Sequence, residues 1–390
     1  MSQKSRILIL TTAYLPQVGG SELAIKNITD RLPEICFDLI TSRPSKKFPK
    51  FEKIGNVNVY RAGGLFGVFS FLMPKSFLPI AVFFKARLLI LKQGPYNLVH
   101  AYQASQAAGG GWLLKWLYPG IPFLLTMQEG KNLSKKNTAL FFRNLIIKKA
   151  DIITAISHYL AEHVNKINHK AEVLVIPNGV DVENFSRNFD DLEINNLKKR
   201  LGISFDEKVV ISASRPVEKN GLDLLIEAVA LLNKQKAIKT KLILVGADPV
   251  FDKSRKIKLQ KITEKFSIEN KVVFLDVVNH MDLPLYFSVS DVFVRPSRSE
   301  GLGNAFLEAM AARLPVIGTN VGGIPDFLKD RETGLFSTLN PEDIASKIKL
   351  IFENDKLSRH IIGNASDLVS DNYNWNKIAD KFSVLYNRFL

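Results

Sequence analysis

The chain has 390 residues, of which 46% are hydrophobic and 23% charged, with a formal net charge of +15 at pH 7. This length exceeds one ordinary hydrophobic core and predicts two or three domains, and the composition excludes an intrinsically disordered chain. The single cysteine, Cys36, excludes an internal disulfide and favours a reducing compartment, so we expect a cytoplasmic protein.

The positive charge is concentrated in the first half of the chain. Residues 1–190 contain 24 Lys and Arg against 12 Asp and Glu (net +12), and the remainder contains 29 against 26 (net +3). Residues 65–91 are also rich in Phe, and their basic residues leave no uncharged run of the roughly 18 residues that span a bilayer. The pattern predicts a segment that docks on an anionic membrane surface, so that the protein lies on the inner face of the cell membrane. Nucleic-acid binding, or an ordinary core with solvated lysines, are the alternatives.

The first predicted element is a buried strand at residues 6–10. Its apolar run is too short for a signal peptide, and Pro16 follows without a small-residue cleavage site. A helix is expected at residues 21–31, with Ser21 as its N-cap. Gly19 and Gly20, at the junction, leave the backbone open to close approach by a diphosphate or a transferring sugar. A tight turn without a ligand is the alternative.

Short β-rich runs alternate with helical patterns along the rest of the first half. This alternation predicts a parallel sheet covered by helices on both faces. The expected strands lie at residues 37–41, 57–61, 98–100, 123–126, 152–155 and 173–176.

Polar residues at the ends of two of these strands are candidates for the acceptor side of a site. His100 ends one strand, and a packed, hydrogen-bonded core histidine is the alternative interpretation. Gln128 and Glu129 follow the strand at residues 123–126 and are expected at the same sheet edge.

A turn cluster at residues 177–181, followed by a polar stretch, predicts the boundary between two domains. We expect an N-terminal domain at residues 1–185, a linker at 186–205, a second domain at 206–370 and a terminal helix at 371–390. The second domain repeats the alternation, with a helix at 221–232 and strands at 209–212, 242–245, 272–275, 292–294 and 315–318. The fold class is therefore α/β, with two Rossmann-like domains that face each other across a ligand-binding cleft.

Charged residues follow two strands of the second domain. Arg215 and Lys219 follow the first strand and suit a leaving diphosphate; a solvated basic turn is the alternative. Glu300 and Glu308 bracket the glycine-rich start of a predicted helix, where exposed amides favour an anion. Because a carboxylate there would repel a phosphate, Glu308 is expected to accept hydrogen bonds from sugar hydroxyls. The histidines show no metal-ligand spacing, so we expect neither a metal nor another cofactor.

These motifs, in this order, resemble glycosyltransferase family 4, whose members are retaining enzymes of the GT-B fold. The matching stretches are 16–22, 150–157, 175–181, 291–297, the Glu300/Glu308 pair and 315–325. The resemblance implies that Arg215, Lys219 and Glu300 are catalytic and that the terminal helix crosses back to the first domain. The donor-binding residues that it implies are Gly19, Gly20, Arg215, Lys219, Val278, Glu300, Gly301, Leu302, Gly303, Asn304 and Glu308.

The chain departs from the family pattern at two positions. Asn220 stands where a lysine commonly precedes the glycine at position 221, so the role passes to Lys219. Gln128 stands where the family often has a histidine that touches the sugar, and either Gln128 or Glu129 replaces it.

The expected function is a metal-independent, retaining transfer of a hexose-type sugar from a UDP- or GDP-sugar. The acceptor is expected to be a hydroxyl of a lipid-linked or polysaccharide molecule in cell-envelope glycan synthesis. No second carboxylate is identified for a covalent intermediate, so front-face attack is expected, with the departing phosphate as base. A sugar-nucleotide epimerase, and a non-catalytic protein that binds membrane or nucleic acid, are the alternatives.

Overall fold

The computed structural model describes residues 5–17, 19–62, 77–128, 138–234, 238–246 and 249–390, with the backbone alone for residues 138, 139 and 249–253. The chain divides into two compact units. The first unit contains Met1–Gly179 together with Trp375–Leu390, and the second contains Val180–Asn374.

The first unit is built on an eight-stranded sheet with the order β3-β4-β2-β1-β5-β6-β7-β8. Its strands are β1 Arg6–Leu10, β2 Cys36–Ser42, β3 Phe51–Ile54, β4 Val57–Ala62, β5 Leu98–Tyr102, β6 Phe123–Met127, β7 Ile152–Ala155 and β8 Glu172–Val175. Its helices are α1 Gly20–Asp30, α2 Leu78–Gln93, α3 Gln106–Leu117, α4 Thr138–Lys149, α5 His158–Asn165 and α14 Trp375–Tyr386. The central strands are buried on both faces, as expected for a parallel sheet between helices.

The second unit has a six-stranded sheet, all parallel, with the order β11-β10-β9-β12-β13-β14. Its strands are β9 Lys208–Ala213, β10 Thr240–Val245, β11 Val272–Leu275, β12 Val292–Arg295, β13 Val316–Thr319 and β14 Leu335–Ser337. Its α-helices are α6 Val182–Phe185, α7 Asp191–Arg200, α8 Leu222–Lys234, α9 Pro249–Lys265, α10 Leu283–Ser288, α11 Asn304–Ala311, α12 Pro341–Glu353 and α13 Asp355–Asn372.

The sequence patterns do not predict two of the strands. β3 pairs antiparallel with β4 and is the edge strand of the first sheet. Its sequence is half polar and its burial alternates with solvent exposure, so it has no continuous apolar run. β14 is an edge strand of only three residues, which is too short to show a period.

The predicted linker at 186–205 is wrong, because it lies within the second unit and half of it is helix α7. Asp190 accepts a hydrogen bond from the Glu193 amide, and the Glu193 carboxylate accepts one from the Asp190 amide. This capping box satisfies donors at the start of the helix, which makes a regular helix from a strongly polar stretch. The change of unit instead falls at Gly179–Val180.

The predicted N-cap of α1 is also wrong. The helix begins at Gly20 with Gly19 as its N-cap, and Ser21 lies inside the first turn. The Ser21 hydroxyl accepts a hydrogen bond of 2.7 Å from Nε2 of Gln103, which follows β5. Ser21 therefore ties the start of α1 to the neighbouring strand.

Three consecutive glycines in α3 allow close helix packing. A Cβ atom at Gly110 would lie 2.5 Å from Val82 of α2, and one at Gly111 would lie 2.7 Å from Phe123 of β6. Both distances are shorter than a carbon–carbon contact allows. The glycines therefore let α2 and the sheet approach α3, although each weakens the helix by roughly 1 kcal/mol relative to alanine.

The terminal helix α14 completes the core of the first unit. Its buried face, which includes Ile378, Phe382 and Leu385, packs in the same cluster as Ile25 of α1 and Phe37 of β2. The sequence pattern on this helix predicts the apolar face correctly. None of the helices in the described ranges has the length and hydropathy that a membrane span requires.

His100 lies inside this core and has no solvent-exposed surface, so it has no atom to offer to an acceptor. Its Nδ1 lies 2.8 Å from the Tyr386 hydroxyl of α14, and its Nε2 lies 2.6 Å from Oγ1 of Thr126. Burial lowers the pKa of His100 to about 3. The acceptor-side prediction for His100 is therefore wrong, and the core-histidine alternative describes the residue.

The neutral His100 makes the stability of the first unit depend on pH. Because the unfolded state binds a proton near pH 6.5 and the folded state does not until about pH 3, the free energy of unfolding falls as the pH drops through this window. We expect wild type to lose about 1.4 kcal/mol per pH unit more than His100→Gln over the middle of this window, where the unfolded state is protonated and the folded state is not. Urea unfolding followed by tryptophan fluorescence measures this, since Trp112, Trp116 and Trp375 all belong to the first unit.

The exposed His158, replaced by Gln, is the matched control for this experiment. Its pH profile should run parallel to that of wild type. Parallel profiles for wild type and His100→Gln would contradict the assignment.

Candidate functional site

The strand order reverses at one point in each sheet, which is where ligands bind in open α/β sheets. In the second unit the reversal lies between β9 and β12, and in the first unit between β1 and β5. Arg215 follows the carboxyl end of β9, and Glu300 follows that of β12. The sequence-predicted residues thus lie after the two strands at the reversal point of the second unit.

The turn after β9 has a fixed backbone and an exposed Arg215. The Asn220 side-chain amide donates to the Arg215 carbonyl at 2.8 Å. Gly221 has φ +68°, and a Cβ atom there would lie 2.0 Å from the Pro296 carbonyl oxygen after β12. Asn220 therefore has a structural role that fits asparagine, and Gly221 lets the two loops touch. Among the described residues, no acidic side chain pairs with the Arg215 guanidinium.

Two cations flank the Glu300 carboxylate. Oε2 accepts a hydrogen bond from Nη2 of Arg295 at 2.7 Å, and Oε1 lies 3.5 Å from Nζ of Lys219. The Gly301 amide also donates to Oε1 at 3.0 Å. Burial raises the pKa of Glu300, but Arg295 and Lys219 offset this, and the pKa is lowered overall. Glu300 is therefore a carboxylate at neutral pH, able to accept but not to donate hydrogen bonds.

The backbone around Glu300 is braced by glycines. Gly322 has φ +57°, and a Cβ atom there would lie 1.9 Å from the Glu300 carbonyl oxygen. Gly303 caps α11 with φ 111°, a conformation that glycine tolerates best. Gly301, Leu302 and Gly303 are buried and Asn304 begins the helix, so the predicted phosphate-binding segment is a helix N-terminus as expected.

Glu308 lies on α11, one turn after Asn304, and contacts a residue that the sequence does not indicate. Its Oε1 lies 2.9 Å from Nε2 of His280, in the loop between β11 and α10. Burial lowers the pKa of His280, but the hydrogen bond and charge of Glu308, and the charge of Asp181, raise it above its usual value overall. Val278 lies two residues earlier in the same loop and is half-buried.

The predicted residues of the first unit lie near its own reversal point. Gly19 and Gly20 begin α1 after β1. Gln128 follows β6, and its side chain exchanges two hydrogen bonds of 3.0 Å with the Asn178 side chain. Asn178 belongs to the turn at 177–181, so this pairing joins two motifs that the sequence shows separately. Glu129 lies outside the described residues.

Arg295 and His280 are the functional candidates that sequence reasoning missed. Arg295 ends β12 inside the matched stretch 291–297, and its guanidinium also stacks 4.7 Å from the Phe306 ring centre. An arginine at a buried strand end, five residues before a glutamate, is the signal that indicates it. His280 has no such local signal. In the described part of the chain, no three His, Cys, Asp or Glu side chains form a group that could hold a metal ion.

Comparisons with known proteins agree with this fold. Sequence models of two families match: Glycosyl transferases group 1 over residues 193–368, and Glycosyltransferase Family 4 over residues 18–184. N-acetyl-alpha-D-glucosaminyl L-malate synthase from Bacillus anthracis is 26% identical over 98% of this chain and 97% of its own. Alpha-monoglucosyldiacylglycerol synthase from Acholeplasma laidlawii is 23% identical over 86% of each chain. An Anabaena protein, crystallised in complex with UDP and glucose, has a TM-score of 0.80 at 20% identity, covering 98% of this chain and 100% of that one.

The Arg295–Glu300 pair should stabilise the second unit. Arg295→Met removes the partner at 2.7 Å from the buried Glu300 carboxylate and leaves Lys219, at 3.5 Å, beside it, so the substitution should lower the free energy of unfolding by about 3 kcal/mol. Because the pKa of Glu300 is lowered, this stabilisation is present above the usual pKa of glutamate and is lost as the pH falls through the lowered value. Urea unfolding followed by far-ultraviolet circular dichroism checks the loss at neutral pH.

Arg298→Met is the matched control in the same loop. Arg298 pairs with Asp223, but those side chains are 30% and 34% exposed, against 7% and 13% for Arg295 and Glu300. The control should lose less than about 1 kcal/mol. Adding Glu300→Gln to Arg295→Met should restore part of the lost stability. Equal losses of stability in Arg295→Met and Arg298→Met would exclude the buried-pair explanation.

Proposed function

This chain belongs to glycosyltransferase family 4 and is a GT-B glycosyltransferase of glycan biosynthesis, and we propose that it transfers a hexose-type sugar from a UDP- or GDP-sugar. The acceptor is a hydroxyl of a lipid-linked or polysaccharide molecule, the anomeric configuration is retained, and no metal ion is required. The observation that carries the proposal is the group of charged residues after β9 and β12 (Arg215, Lys219, Glu300) at the reversal point of the second sheet. The Anabaena structure with UDP and glucose supports the choice of donor.

The chemistry follows from the charges of these residues. The acceptor oxygen attacks the anomeric carbon while the bond from that carbon to the diphosphate oxygen breaks. The bonding electron pair leaves with the diphosphate, which takes up the acceptor proton. Arg215 and Lys219 supply the positive charge that stabilises the departing diphosphate, which is the role that a metal ion has in other enzymes. The ionised Glu300 accepts hydrogen bonds from the donor sugar and orients it.

The diphosphate role of Arg215 is testable by substitution. Arg215→Ala should reduce kcat/KM for sugar transfer by about 100-fold, because a single charged contact in such a site is worth that much. Release of UDP or GDP from the corresponding sugar donors, with and without acceptor, measures the effect. The exposed Arg359 on α13 provides the control, and Arg359→Ala should match wild type. An Arg215→Ala enzyme as active as this control would refute the role.

The proposed location of the acceptor is based on the exposed side chains of the first unit. The predicted segment at 65–91 lies partly outside the described residues, but its second part is helix α2. The exposed large apolar residues of this helix and its N-cap recur every three or four positions and are between 42% and 68% accessible: Phe77, Ile80, Phe84, Leu88 and Leu91. The opposite side of α2 is buried against the unit. A helix with an exposed apolar stripe of this length is typical of an interaction surface.

Helix α3 packs against α2, and α4 packs against α3, so the exposed residues of these two helices extend the surface. Trp116 and Leu117 are exposed on α3, and Phe141 and Phe142 are exposed on α4. Lys149 of α4 lies 4.3 Å from the Trp116 ring centre. We call the exposed side chains of α2, α3 and α4 the basic apolar face. The helices α2, α3 and α4 together contain seven Lys and Arg and no acidic residue, so the charge of this face is positive.

An anionic lipid surface is the partner that fits the basic apolar face. Each lysine or arginine near such a surface contributes roughly 1 kcal/mol, and the apolar side chains add the free energy of their burial. A lipid-held acceptor would then be presented to the enzyme at the membrane. The similarity to a synthase of alpha-monoglucosyldiacylglycerol supports this choice of acceptor.

Removing the apolar stripe should release the protein from lipid. The triple variant Phe84→Ser, Leu88→Ser, Leu91→Ser should bind vesicles of phosphatidylglycerol and phosphatidylcholine at least about tenfold more weakly than wild type. Co-sedimentation with the vesicles measures the binding. The control carries Leu192→Ser, Phe205→Ser and Leu339→Ser in the second unit, where the same number of exposed apolar side chains is removed. Equal binding by both triple variants would contradict the proposal.

A further inference from the structure

The carboxylate of Glu308 is held from one side only. Oε1 is hydrogen-bonded to His280, whereas no group in the described part of the chain hydrogen-bonds to Oε2. The Glu308 side chain is 13% exposed and that of His280 is 34% exposed. A carboxylate with one fixed oxygen and one open oxygen is oriented for a ligand that brings hydroxyl donors.

The imidazole of His280 is itself fixed by aromatic packing. Phe185 of α6 meets it edge-on, with ring centres 5.3 Å apart. Phe185 is buried and begins a series of ring contacts through Phe287 and Phe293 to Phe306 of α11. Because Glu308 is on that same helix, His280 is linked to α11 in two ways: by its hydrogen bond to Glu308 and through this series of ring contacts. His280 cannot rotate away from Glu308 without disturbing this packing.

We propose that His280 is a positioning residue that holds Glu308 in the orientation that binds the donor's ribose hydroxyls. The inference rests on the proposed function, in which Glu308 contacts the ribose. It adds that nucleotide affinity depends on the charge of a residue that does not itself touch the nucleotide. The carboxylate alone would repel an anionic nucleotide, and an imidazolium beside it compensates that charge.

The charges around His280 decide the direction of the pH dependence. Glu308 faces it from α11 and Asp181 from the N-cap of α6, and together they raise the pKa of His280 although burial lowers it. Asp282 caps α10 in the same loop, and Arg187 donates to the Met281 carbonyl at 3.0 Å. The acidic neighbours therefore outweigh burial in their effect on the pKa of His280. His280 is charged below its raised pKa and loses the charge as the pH rises through it, so nucleotide affinity should fall with rising pH.

Isothermal titration calorimetry with UDP and with GDP tests the proposal across a pH series. His280→Ala should weaken binding of the preferred nucleotide by about three- to tenfold on the acid side, where the wild-type histidine is charged. His280→Gln keeps an uncharged donor and should restore part of the affinity without the pH dependence. The titration of the nucleotide itself cancels in the ratio of wild-type to variant affinity. His360→Ala on α13, where the histidine contacts Asn364, is the control and should behave as wild type.

A double-variant cycle separates the inference from the function on which it rests. Glu308→Gln should weaken binding, and adding His280→Ala to it should change the affinity by less than about twofold. If Glu308→Gln weakens binding but His280→Ala retains the wild-type affinity and pH profile, the positioning role is overturned and the proposed function stands. If Glu308→Gln has no effect, or wild type binds neither nucleotide, the ribose assignment fails and the role of His280 fails with it.

Discussion

The ion pair between Glu300 and Arg295, with Lys219 beside it, is the interaction on which the site of the second unit depends. Two cations keep the buried carboxylate ionised, and the carboxylate in turn holds the loop between β12 and α11. Since Glu300 follows β12 and Lys219 belongs to the turn after β9, the contact between Lys219 and Glu300 connects the two loops at the sheet reversal point. The geometry proposed to bind a sugar is thus built from the same charges that stabilise the loop.

Glycines allow the close backbone contacts between the loops of this site. Gly221 and Gly322 each allow a loop backbone to approach a carbonyl oxygen closer than any Cβ atom would permit. Both adopt positive φ angles, so the close approach and the left-handed conformation occur at the same residues. Asn220 hydrogen-bonds to the backbone of the β9 turn, so the departure from the family pattern there has a structural explanation.

The sequence predicts those elements whose physical signal is local. The strands β9 and β12 are continuous apolar runs, and helix α14 shows its buried face directly, so their positions follow from periodicity. Helix α7 is not predicted because its residues are mostly polar, although the residues of its capping box, Asp190 and Glu193, can be recognised in the sequence. The contact of His280 with Glu308 could not be predicted, because 28 positions separate the two residues and only folding brings them together. The sequence predicts His100 as an acceptor-site residue because a histidine at a strand end and one in the core have the same sequence pattern.

The chain path has a consequence for biosynthesis. The core of the first unit includes helix α14, whereas the second unit is continuous from Val180 to Asn374. On the ribosome, part of the apolar surface of the first sheet therefore stays uncovered until helix α14 has emerged. The second unit can complete its own core before that moment. A unit whose chain is interrupted by the whole of a second unit is exposed to premature association while that second unit is being translated, which gives chaperones a defined surface to protect.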